Sequence, residues 1–130
     1  MRWAALVLAA AVTAPRQAEF ETIDIVIDTG GRPMAAYQFE VVCDAKLLGV
    51  EKADFDPRAP YHDPAALQGG RIVVAQYTLA EPAPSGKVRV AALHVQHDGK
   101  PDYKAKIIVV AGPEGERMDA TIEVVRRGGN

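Results

Sequence analysis

Residues able to do chemistry are concentrated in one stretch, 54–70, where Asp54, Asp56, Tyr61, His62 and Asp63 fall close together. Neighbouring carboxylates beside an imidazole offer donors that suit a small ligand or a hard cation such as Ca²⁺. The same residues also have a structural reading. Asp56-Pro57 and Asp63-Pro64 are turn and cap signals, and Tyr61 can pack on a sheet edge. The twelve-residue calcium-loop pattern is missing. These five residues are therefore the candidate binding site, with no metal assigned to them and no cofactor expected.

Other reactive side chains point away from catalysis. His94 and His97 stand three apart in a strand-like run, which aims them at opposite faces and prevents joint chelation. Ser85 is the only serine and belongs to the turn Pro84-Ser85-Gly86. Cys43 is the only cysteine, so no intrachain disulfide can form. Its neighbour Asp44 and its apolar parity make it a packed small hydrophobe rather than a nucleophile. There is no Gly-x-Ser-x-Gly elbow, no His-Glu-x-x-His and no glycine-rich phosphate loop. A carboxylate pair for glycoside hydrolysis would need a walled cleft, for which so small a domain has little room. No catalytic residue is assigned, and the chain reads as a non-enzyme.

The elements that must carry these residues are strands. Short apolar runs alternate with Gly, Pro and Asp clusters, and no window sustains a 3.6-residue period. In 23–28, Ile23, Ile25 and Ile27 share one face, and Thr29-Gly30-Gly31-Arg32-Pro33 ends the run. In 35–43, Tyr37, Phe39, Val41 and Cys43 face inward while Gln38 and Glu40 face outward. Further strands are expected at 45–52, 71–79, 87–96, 103–111 and 118–125. The run at 71–79 is apolar on both faces, as in a central strand. Within 87–96 the apolar phase changes between Val88, Val90 and Ala91, Leu93, Val95, which a β-bulge near 90–92 would reconcile. Met118, Ala120, Ile122 and Val124 give the last strand a clean apolar face. Between the third and fourth strands, Asp63-Pro64-Ala65-Ala66-Leu67 supplies an N-cap acid and a first-turn proline, specifying one short helical turn near 63–68. Seven strands without crossover helices make an all-β, two-sheet antiparallel sandwich with jelly-roll or Greek-key connections.

Residues 1–18 open with Arg2 and continue into an apolar run too short to span a bilayer, the pattern of an export signal. A single sandwich domain then occupies 19–130. Removing 1–18 takes away Arg2 and Arg16, leaving 13 Lys and Arg against 17 Asp and Glu, and the net charge moves from -2 to -4. A mildly acidic domain lacks the clustered cations that nucleic-acid binding needs. No membrane span is expected once the signal is gone.

The segment 36–51, an apolar-rich strand leading through Asp44-Ala45 into a second strand, resembles the early hairpin of cohesin-like domains. The runs 71–79 and 86–95, with Ala91-Ala92-Leu93-His94-Val95, look like the strands that follow in that family. The resemblance spans most of 21–126 and lies in strand order and turns, without a diagnostic motif. The 60–64 loop has no counterpart in it. It implies a jelly-roll sandwich of the kind shared by cohesins and some carbohydrate-binding modules, with protein or glycan binding on a sheet face or loop edge.

Three functions follow. The leading expectation is an exported, non-catalytic module for protein–protein interaction, with an extracytoplasmic partner and a periplasmic, extracellular or cell-surface location. A carbohydrate-binding module is the alternative, although outside the signal the chain has only Phe20, Tyr37, Phe39, Phe55, Tyr61, Tyr77 and Tyr103 as aromatics. The third is a small metal-dependent hydrolase built on 54–63.

Overall fold

The computed structural model describes residues 18–127. Residues 1–17, which hold nearly all of the run read in sequence as an export signal, and the tail at 128–130 lie outside them. Eight strands run in chain order: β1 (Glu19–Asp28), β2 (Ala36–Cys43), β3 (Lys46–Glu51), β4 (Tyr61–His62), β5 (Arg71–Tyr77), β6 (Lys87–His97), β7 (Tyr103–Ala111) and β8 (Thr121–Arg126). They form two antiparallel four-stranded sheets. Sheet one has the order β3-β6-β1-β8, and sheet two has β4-β5-β2-β7. Apart from β4 to β5, each connection between successive strands passes from one sheet to the other. The chain therefore winds around its core, and the expected all-β sandwich is the observed one.

Period-two alternation builds that core. Ile23, Ile25 and Ile27 of β1, Phe39 and Val41 of β2 and Val74 of β5 are fully buried between the sheets. Burying each such side chain is worth about 1.5–3 kcal/mol. Tyr37 stacks on Phe39 with ring centres 5.7 Å apart. Its hydroxyl donates to the Val90 carbonyl at 2.9 Å and to Gln76 Oε1 at 3.2 Å, so its polar end is satisfied inside the core. Burial raises the pKa of that phenol. Cys43 is half-buried against the same cluster, and burial raises its thiol as well.

The phase change in β6 is a bulge. Ile25 pairs with Ala91 and Val26 with Arg89, which leaves Val90 as the extra residue. The displacement lets Val90 and Ala91 both be buried, along with Leu93 and Val95. β6 lies between β3 and β1, so it is a central strand, and Ala92 on its other side is buried too. β5, expected to be covered on both faces, has Val73 and Ala75 only partly buried, because sheet two presents that face to solvent.

Several boundaries differ from the sequence reading: β1 already begins at Glu19 rather than 23, and β5 ends at Tyr77 rather than 79. The last strand begins at Thr121 rather than 118, yet Met118, Ala120, Ile122 and Val124 all pack on the core as the alternation requires. The segment 61–62, read as loop, is the short edge strand β4. The helical turn is a 3-10 turn at Pro64–Ala66, capped by Asp63, whose Oδ1 accepts from the Ala65 N–H at 2.9 Å.

Candidate functional site

The five residues singled out in sequence are divided among separate tasks. Asp54 is paired with the Arg89 guanidinium on sheet one, which lowers its pKa. Asp56 is buried and accepts from the Arg58 Nε and backbone N–H at 3.1 Å and 2.9 Å and from Nη2 at 3.1 Å. Those bonds hold its pKa at about 2, against the opposing effect of burial. Asp63 caps the 3-10 turn. Among the described residues, no three His, Cys, Asp or Glu side chains converge as metal ligands.

Tyr61 and His62 part company because successive strand residues face opposite ways. His62 pairs with the core residue Val74, and its Nδ1 is buried without a hydrogen-bond partner among the described residues. Tyr61 pairs with Ala75 on the outer face of sheet two and is 76% exposed. There it meets residues that the sequence reading did not single out. Tyr77 lies two positions beyond Ala75 on the same face, and Arg58 lies over its ring at 4.7 Å from the centroid. Arg58 is fixed by Asp56 below it and by donation to the Tyr77 carbonyl at 2.6 Å. Gln76 Nε2 donates to the Arg58 carbonyl at 3.1 Å, tying the loop to β5 a second time.

Together these side chains frame a shallow, open groove of about 430 Å³. Its floor is made by the small residues Ala36 and Ala75, with Gln38 between Ala75 and Val109 in the same cross-strand row. Its walls are Tyr61, Tyr77 and Arg58, and its surface is mainly apolar. Beyond the groove, Leu79 is 82% exposed just past the end of β5. A signal for Tyr77 exists in the sequence. Ile72 and Val74 set the inward parity of β5, which places Arg71, Val73, Ala75 and Tyr77 on the outward side.

The groove adjoins a charged strip further along the same strands. Glu40 pairs across β5 and β7 with Val73 and Lys106, and the next outward row is Arg71, Val42 and Lys104. Glu40 forms ion pairs with Arg71 and with Lys106, the latter at 3.9 Å. The arrangement offers rigid aromatic walls, an apolar floor and flanking cations, which suits non-covalent capture. It does not align a nucleophile with a base. Comparison of the chain with protein-family models, curated proteins and solved structures finds no match.

Proposed function

We propose that this chain is an exported, non-catalytic binding module that holds a protein partner on the outer face of sheet two. The observation that carries this reading is the groove between Tyr61, Tyr77 and Arg58. Tyr and Arg are the residue types that most often dominate protein interfaces, because they supply large contact area at low entropic cost. Here both tyrosines are exposed, and Arg58 is immobilised by Asp56 before any partner arrives. The mainly apolar lining favours side-chain anchors over a sugar, whose hydroxyls need a denser set of polar partners than Gln38, Gln76 and Arg58 provide. The resemblance to cohesin-like domains supports the same choice. Export rests on the apolar N-terminal run.

The test is capture from envelope and secreted fractions of the source cells. Immobilised wild-type chain is expected to retain a specific protein that the Tyr61→Ala/Tyr77→Ala double variant loses by at least about tenfold. Equal recovery by the two proteins, or retention of polysaccharide alone, would refute the reading. Finding the tagged chain in the cytoplasmic fraction would remove the exported part of it.

A further inference from the structure

We infer that the partner segment in this groove is an extended acidic peptide: an apolar anchor residue followed at alternate positions by carboxylates. The inference rests on the protein-binding reading above and deepens it by naming the chemistry of the occupant.

Charge on the two faces is the first argument. Among the outward positions of β2, β5 and β7, the cations Arg71, Lys104 and Lys106 face a single carboxylate, Glu40. That surplus stands on a chain with 17 Asp and Glu against 15 Lys and Arg. The outer face of sheet one lacks it: Asp24, Asp28, Glu51 and Glu123 there stand against Lys46, Lys87, Arg89 and Arg127, and both arginines are paired with Asp24. Side chains of Arg71 and Lys106 are 68% and 73% exposed, and Glu40 is covered between them at 14%. One carboxylate shared by two cations leaves each with donors turned to solvent. An incoming carboxylate completes this arrangement, whereas a basic segment would be repelled. Three cations are too few and too local for a nucleic-acid backbone.

Spacing is the second argument. The groove centres on the row of Gln38, the first cationic row is that of Glu40 and Lys106, and the second is that of Val42, Arg71 and Lys104. Strand rise places these rows about 7 Å and about 13 Å from the groove. An extended peptide has the same rise and presents every second side chain to one side. With its anchor residue between Tyr61 and Tyr77, its side chains two and four positions away fall over Lys106 and over Arg71 with Lys104. Carboxylates at those positions match both rows, and the ligand's alternation copies that of the sheet beneath it.

A phage-displayed library of random dodecapeptides, panned on the wild-type chain, tests this directly. The enriched sequences are expected to combine an aliphatic or aromatic residue with Asp or Glu two and four positions away. The best synthetic dodecapeptide should lose at least about tenfold in affinity on Lys104→Glu/Lys106→Glu, and a similar factor between about 50 mM and about 500 mM NaCl. Both lysines are exposed, so unchanged thermal unfolding of the variant shows that the loss lies in recognition. Enrichment of neutral or basic sequences that still depend on Tyr61 would overturn the acidic occupant while leaving the protein-binding reading intact. No enriched peptide together with retention of polygalacturonate would overturn both. Concentration-dependent dimerisation abolished by the same variant would make a second copy of this chain the occupant and overturn the peptide.

Discussion

The buried Asp56 carboxylate keeps its charge because three N–H groups of Arg58 point at it. Its role is to hold Arg58 over Tyr77, so this wall of the groove is fixed in place. The sign of its pH dependence follows. With a folded-state pKa of about 2 against an ordinary 3.8, the stabilisation is complete above the ordinary value and disappears as pH falls through about 2. Asp56→Asn is therefore expected to lower the melting temperature by about 5 °C near neutral pH, with the difference from wild type closing between about pH 4 and about pH 2. Thermal unfolding followed by circular dichroism across that range checks it; a difference that stays constant with pH would mean that the carboxylate's charge contributes nothing. Tyr61 carries the complementary lesson. Its type was informative in sequence, but the neighbours that form the groove with it, Tyr77 and Arg58, are brought beside it by the pairing of β4 with β5. The acids near it in sequence, Asp54 and Asp63, are occupied elsewhere.

At the scale of elements, the strands with strict alternation were legible. β1 and β2 have the inward residues their parity requires, and the broken parity of β6 marked the bulge at Val90, whereas a second bulge in β7, where Val109 pairs with Gln38 and Ile107 with Phe39, was not marked. β4 was not legible, because two residues between Pro60 and Pro64 are too few to show a period. They become a strand only because β5 offers an edge. The loop containing β4 returns to β5 through Gly70, where the backbone passes so close to β2 that its carbonyl accepts from the Cys43 N–H at 2.8 Å. A Cβ at Gly70 would collide with the Cys43 carbonyl oxygen and sit 3.4 Å from that of Ala45, both backbone atoms that cannot swing aside. Gly70→Ala is expected to cost about 1–3 kcal/mol in urea unfolding. Gly49→Ala, whose added carbon would meet only His94 Cδ2 at an ordinary 3.8 Å, is the control and should lie within about 0.5 kcal/mol of wild type. Equal losses at the two glycines would show that the close approach at Gly70 is not what holds the loop in place.

The whole molecule separates its core from its groove-bearing face by parity alone. On β2, Tyr37, Phe39 and Val41 face inward, while Ala36, Gln38, Glu40 and Val42 face outward. Groove variants should therefore leave the fold intact, whereas core variants should weaken both sheets at once. The connections make the second expectation strong. The chain crosses between the sheets after β1, β2, β3, β5, β6 and β7, so neither sheet is a contiguous segment that could persist while the other melts. Both contribute to one core, in which Phe39 of sheet two and Ile25 and Leu93 of sheet one are fully buried. Phe39→Ala removes the largest of these side chains and is expected to cost about 3–5 kcal/mol. That is a large part of the roughly 5–15 kcal/mol typical of a domain. Native-state hydrogen exchange distinguishes the possibilities. In the variant, the slowest amides of β1 and β6 should lose protection by the same free energy as those of β2, although the substitution lies in the opposite sheet. Loss confined to β2, β5 and β7, with β1 and β6 still protected as in wild type, would mean that sheet one holds together by itself and that the crossing connections do not couple the layers.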